Sequence, residues 1–142
     1  MSNRTSVKLT VLARDSELVE SLLDSTDGWE MVVEVQILDS SSTLKEYSIS
    51  DVSEGELEVE SLLILHRIAF DIEVDAMTDI DPFVIYNRYK GEYQYYEKFA
   101  KGCDGTVDLD KLLAAHDQGT MNLMLKEERH KEFLRGWGSQ VS

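Results

Sequence analysis

The chain reads as an α+β domain in which antiparallel strands alternate with short helices and two further helices close the sequence. Three observations predict this. Val7, Leu9, Val11 and Ala13 alternate with Lys8, Thr10, Leu12 and Arg14, the period-two pattern of a strand with one buried face. The same period returns at 29–38, at 68–76 and twice between 83 and 99. Apolar residues recur at helical spacing at Leu18, Val19, Leu22 and Leu23, and again from Leu109 onward. A length of 142 residues suits one domain, 1–142, divided into a sheet-and-helix core (1–107), a helical pair (108–135) and a tail (136–142).

Each element has a local reason. After the first strand, Asp15 or Ser16 offers an N-cap and Glu17 suits the positive end of a helix, whose apolar stripe packs back on the sheet. Thr26-Asp27-Gly28 is a turn signal. In the strand that follows, Trp29, Met31, Val33, Val35 and Ile37 share one face while Glu30, Glu34 and Gln36 occupy the other. The polar run from Asp39 to Thr43 then links it to a weaker strand at 44–49, as a hairpin.

Ser53 followed by Glu56 matches a capping box, with a helix through Leu62, Leu63, Ile64 and Leu65. From Ile68 the period switches to two: Ile68, Phe70, Ile72, Val74 and Ala76 point inward, Asp71, Glu73 and Asp75 outward. Strands at 83–89 and 92–99 meet at a Lys90-Gly91 turn. Asp108 caps a helix with Leu109, Leu112 and Leu113 as its apolar face. Thr120 caps a second, through Arg135, with Met121, Met124, Leu125 and Phe133 as its buried stripe. The closing GWGSQVS is expected to be a partly ordered tail. The first six elements follow the βαββαβ order of the split, ferredoxin-like sandwich, extended by extra antiparallel strands and the two C-terminal helices.

Charge is distributed unevenly. The chain has 28 acidic and 14 basic side chains, for a net charge of −14. Between Asp15 and Asp81 the only bases are Lys45 and Arg67, so the excess lies in the first half, whereas acids and bases balance after Pro82. A field of this sign repels nucleic-acid phosphates and anionic membranes and favours a basic partner or simple solubility. Cys103 is the single cysteine, so no internal disulfide forms. The first residues lack the apolar run of a signal peptide, and no 18-residue apolar window exists. The expectation is a cytoplasmic protein without membrane contact.

From the second helix onward the chain resembles ferredoxin-like small proteins encoded on plasmids and prophages. The stretches that carry the resemblance are HRIAFD (66–71), VIYNRYKGEYQYY (84–96) and DGTVDLDKLLAA (104–115), about half the chain. The resemblance implies a mobile-element setting and brings no catalytic residue with it.

The chemistry-bearing residues mostly have plain uses. Asp104-Gly-Thr-Val-Asp-Leu-Asp resembles the second half of an EF-hand loop, but in that frame Ala100, Gly102 and Lys111 fall where ligands are required, so the stretch reads as a turn and helix cap. Asp71, Glu73 and Asp75 are spaced at two, forming a row along a strand, where they can also pair across the hairpin with Arg88, Lys90 or Lys98. His66, His116 and His130 fall on separate helices without metalloprotease spacing, and Cys103 lacks a CxxC partner. No GxSxG, P-loop or GxGxxG is present. Tyr86, Tyr89, Tyr93, Tyr95 and Tyr96 cluster in one hairpin, mainly as packing and cross-strand pairs.

The resulting expectation is a non-enzymatic acidic inhibitor, a nucleic-acid mimic that occupies the basic surface of a nucleic-acid-binding partner. It would be a phage or plasmid anti-defence protein, or an immunity protein against a nuclease toxin. Its contact residues would be Glu54, Glu56, Glu58, Glu60, Asp71, Glu73 and Asp75, with Tyr93 and Tyr95 as aromatic anchors, and no cofactor or direct nucleic-acid contact. Oligomeric state stays open. Two alternatives stand beside it: a small metal-dependent enzyme using Asp75, Asp79 and Asp81, and a subunit of a larger assembly whose C-terminal helices make the contact.

Overall fold

Strand pairing gathers most of the alternating apolar residues onto one face of a single sheet. The computed structural model describes residues 4–37, 42–77, 80–103 and 106–141. Its elements are β1 (Arg4–Leu12), α1 (Ser16–Asp24), β2 (Met31–Gln36), β3 (Thr43–Ser53), α2 (Glu60–Leu65), β4 (Phe70–Val74), β5 (Phe83–Lys90), β6 (Tyr93–Ala100), α3 (Leu109–Asp117) and α4 (Met121–Arg135). The six strands form one antiparallel sheet in the order β2-β3-β1-β4-β5-β6. The protein is therefore α+β.

The core lies between this sheet and the first two helices. Val7 and Leu9 of β1, Tyr47 and Ile49 of β3, Phe70, Ile72 and Val74 of β4 and Phe83 and Ile85 of β5 meet Val19 and Leu23 of α1 and Val59 and Leu63 of α2. Burying a side chain of this size contributes about 1.5–3 kcal/mol, so this layer dominates stability. Of the expected inward set Ile68, Phe70, Ile72 and Val74 are buried, but Ala76 lies past the end of β4 and is exposed; the segment at Leu62–Leu65 is helical.

Several local expectations give way to non-local partners. No capping box forms at Ser53: β3 runs through that residue, Glu54 (φ 57) and Gly55 (φ 67) turn, and α2 starts only at Glu60. The cap comes from the 26–28 turn instead. Asp27 accepts from the backbone N–H of Glu58 at 3.1 Å and of Val59 at 2.9 Å, satisfying donors at the helix start from 31 and 32 residues away. Gly55 is required at its turn, since a Cβ there would lie 2.6 Å from Val74 Cγ1. The hairpin turn falls at Gly91-Glu92, one residue later than expected, because Lys90 pairs with Tyr93.

β2 turns its apolar stripe the other way. Met31, Val33 and Val35 stand opposite Ser48, Glu46 and Leu44, on the face that also carries Lys8, Thr10, Asp71 and Glu73, and not on the core face. The C-terminal helices also differ. Ala115, Met124 and Leu134 are buried, but Leu109, Leu113, Leu123, Leu125 and Phe133 are exposed, so much of the expected buried stripe faces solvent. The tail carries a 3-10 turn at Trp137–Ser139. Gln140 clasps the backbone of Tyr89: its side-chain oxygen accepts from Tyr89 N–H at 3.2 Å and its amide donates to Tyr89 C=O at 3.0 Å. Among the described residues no helix is long and apolar enough to cross a membrane.

Candidate functional site

The turn after β3 carries the acidic run to a groove on the helix-covered side of the sheet. Glu54, Glu56, Glu58 and Glu60 line it together with Leu57, Ser61 and Ile64. Ile80, Phe83 and Ile85 add apolar lining, and Tyr96 and Lys98 come from β6. The groove is open to solvent and encloses about 610 Å³. Its glutamate wall is fixed by the Gly55 turn and the Asp27 cap, described above. Across it, the Tyr96 hydroxyl donates to Glu60 Oε1 at 2.6 Å. Burial, and then this bond to a carboxylate, push the Tyr96 hydroxyl above its ordinary range. Lys98 lies 3.9 Å from the centre of the Phe83 ring, its charge held over an aromatic face.

The other expected contact residues lie elsewhere. Asp71 and Glu73 point to the opposite face of the sheet, separated from the glutamate groove by the core, and both are paired internally. Glu73 sits 3.0 Å from Lys8 Nζ and 3.0 Å from Lys101 Nζ. Burial pushes its carboxyl up, but the two ammonium groups outweigh that and hold it below the usual range. Lys8 is raised chiefly by the same hydrogen bond to Glu73. Asp75 is exposed beside this pair. Tyr93 is exposed, whereas Tyr95 is 3% exposed and its hydroxyl accepts from Arg135 at 3.1 Å. Tyr95 is thus an internal contact, and Tyr96 is the hairpin tyrosine that reaches the groove.

Asp71 belongs to a buried ionic lock that sequence reasoning found only in part. Arg88 is 1% exposed, and hydrogen bonds leave each nitrogen of its guanidinium. Nε donates to Arg135 C=O at 3.0 Å. Nη1 donates to Phe70 C=O at 2.9 Å and Asn87 C=O at 3.0 Å. Nη2 donates to Asp71 Oδ1 and to Arg135 C=O, each at 2.6 Å. Trp137 covers the assembly, with the guanidinium carbon 4.0 Å from its ring centre and its indole N–H donating to Asp71 Oδ2 at 3.2 Å. Burial pushes the Asp71 carboxyl up, against the pull of Arg88 and the indole. The Arg88–Asp71 pairing was readable from the strand register. The role of Trp137 was not, although a tryptophan in a seven-residue tail is a signal for a docked tail.

No three His, Cys, Asp or Glu among the described residues converge as metal ligands. Asp79 of the alternative metal set lies outside the described residues, as do residues 39–41 of the loop after β2 and Asp104 and Gly105 of the EF-hand-like stretch. His66, His116 and His130 are exposed and lie far apart in sequence, and Cys103 is exposed. The groove sets a row of carboxylates beside apolar surface and a tyrosine ring.

No family model, no curated protein and no solved structure matches this chain.

Proposed function

We propose that this protein is a non-enzymatic binding protein whose groove receives a basic segment of a partner protein. The observation that carries the reading is the placement of Glu54, Glu56, Glu58 and Glu60 along one groove with an apolar lining and Tyr96 opposite. Lysine or arginine side chains of a partner would meet the carboxylates while their stems cover Ile80, Phe83 and Ile85. A partner surface that ordinarily holds nucleic-acid phosphates has the charge this groove complements. An inhibitor of a nucleic-acid-binding complex, or an immunity protein against a nuclease toxin, fits that description on a phage or plasmid. The contact set is narrower than the sequence suggested: Asp71 and Glu73 serve the fold, and Glu60 also holds Tyr96. We further read β1 to β4 with α1 and α2 as a ferredoxin-like unit; the order β2-β3-β1-β4, with a helix after β1 and another after β3, supports this.

The test uses a fluorescent arginine- and lysine-rich peptide as probe, with anisotropy read at low and high salt. Binding should weaken by about tenfold or more on raising salt, and by a similar factor in the Glu54→Gln/Glu56→Gln/Glu58→Gln variant. A probe that does not bind at low salt, or that binds the triple variant as well as the parent chain, would refute the reading. Reversing Asp71 or Glu73 is no substitute, because it breaks the Arg88, Lys8 and Lys101 contacts.

A second reading, a subunit of a larger assembly, is favoured by the exposed leucines of the helical pair, Leu109, Leu113 and Leu123. Deleting the pair would also remove the Trp137 lock, so the cleaner test is Leu109→Ser/Leu113→Ser/Leu123→Ser. Loss of co-purifying subunits from that variant, with the groove variant unaffected, would favour assembly over inhibition.

A further inference from the structure

We propose that the free edge of β2 pairs with β2 of a second copy, antiparallel and two-fold about Val33, joining the two sheets into one of twelve strands. β2 lies at one end of the sheet and, among the described residues, pairs with β3 alone. Its six residues, MVVEVQ, contain one charge and none of the lysines or prolines that usually guard a sheet edge. Met31, Val32 and Val33 are 60%, 40% and 48% exposed, an apolar run covering both faces of the strand. The edge strand at the other end, β6, carries Glu97 and Lys98, and Glu97 is met by Lys131 of α4.

The hydrogen-bond phase of β2 selects the register. Ile37 N–H donates to Ser42 C=O at 3.2 Å, continuing the pairing of Gln36 with Thr43. In an antiparallel ladder this phase alternates, so Met31, Val33 and Val35 direct their backbone groups to β3, while Val32 and Glu34 direct theirs outward. An axis through Val33 sets Val32 of each copy opposite Glu34 of the other, and both pairs exchange N–H and C=O bonds. Side chains agree with it. Val33 meets Val33 of the second copy, and Met31 meets Val35, making one apolar row on a single face. Glu34 falls opposite Val32 of the second copy while remaining opposite Lys45 on its own β3. An axis through Glu34 would oppose two carboxylates, and one through Val32 would oppose Glu30 to Glu34. Of these three registers, only the one about Val33 is free of like charges.

A second copy is the occupant this pattern fits, because the apolar positions 31, 33 and 35 are symmetric about their own centre. The contact is smaller than a standard interface of about 1,600 Å², and each copy carries −14, so association is concentration-dependent and tightens as salt screens the repulsion. β2 and β6 are opposite edges, so the pairing leaves both acidic grooves open and makes the dimer bivalent for its partner.

Sedimentation of the full chain across a concentration series, at low and high salt, tests the pairing. The mass should rise from 16.2 kDa toward twice that value, and more readily at high salt. Val33→Glu should weaken association by about tenfold or more while leaving the circular dichroism melt unchanged, since the side chain is exposed in the monomer. In a Cys103→Ser background, Val33→Cys should cross-link to itself under mild oxidation and Val32→Cys should not. A monomer at every concentration, or a dimer that Val33→Glu does not weaken, would overturn the proposal. So would one that Leu113→Ser/Leu123→Ser abolishes instead. Groove binding loosens with salt and edge pairing tightens, so failure of one is distinguishable from failure of the other.

Discussion

Replacing Arg88 by methionine keeps most of the side-chain volume under Trp137 and removes the whole set of hydrogen bonds from the guanidinium. Three consequences can be worked from the geometry. Arg135 C=O, at the negative end of α4, loses the cation that satisfies it from both Nε and Nη2. Phe70 C=O and Asn87 C=O each lose one donor. Asp71 retains only the indole N–H. Breaking a buried pair by removing one partner costs about 3–5 kcal/mol, against a total stability of about 5–15 kcal/mol for a domain. The melting temperature should then fall on the order of 10 °C. Urea unfolding followed by tryptophan fluorescence is the assay, since Trp137 reports on the lock itself.

The pH dependence supplies a second check on the same variant. Without the guanidinium, the Asp71 carboxyl rises further above its unfolded value of 3.8. A carboxyl raised by folding contributes stability below its unfolded pKa and loses it as pH rises through the folded one. The deficit of Arg88→Met relative to the parent should therefore be largest near neutrality and shrink on acidification toward about pH 4. Removing both charges, in Arg88→Met/Asp71→Leu, should recover part of the loss. A single variant within about 1 kcal/mol of the parent, or a deficit that grows in acid, would refute the account of the lock.

Asp27→Ala should destabilise the chain by about 1–3 kcal/mol, because two amide groups at the start of α2 lose their acceptor; the urea midpoint measures it, and Asp27→Asn should lose less. Tyr47 and Tyr96 should ionise at higher pH than an ordinary tyrosine: burial raises both hydroxyls, as do their bonds to Glu20 and Glu60. With folded values above the unfolded 10.0, the stability they contribute is intact below pH 10 and falls as pH climbs past it. Tyrosinate absorbance recorded together with urea midpoints should show those two groups ionising later than an ordinary tyrosine.

Much of the fold was legible in sequence because its signals are local. Phe70, Ile72 and Val74 alternate with Asp71 and Glu73, and that period fixed both the strand and its buried face. Asp108 does cap α3, its carboxylate accepting from Asp110 N–H at 3.4 Å. The misreadings at Ser53 and the tail, and the side of β2 left unassigned, share a cause. Alternation says which residues share a face but not which face the helices cover, so the side taken by the Met31, Val33, Val35 stripe stayed open. The capping box at Ser53 was a local match outcompeted by β3 pairing and by Asp27 from another turn. Tyr95 and Tyr96 are adjacent in an aromatic cluster, and only the strand's orientation sends the first inside and the second to the groove.

The sequence by itself determined the α+β class, most strand positions, the two C-terminal helices and a net charge of −14. Those properties depend on composition and on spacings of two to four residues, which survive without knowledge of distant partners. The tertiary structure alone decided that Glu54 to Glu60 border a groove while Asp71 and Glu73 are spent on Arg88, Lys8 and Lys101. It also decided that the last residues close the sheet. A carboxylate's availability depends on which cation the folded chain brings within hydrogen-bond reach, and Arg88, Trp137 and Lys101 lie 17 to 66 residues from the acids they hold.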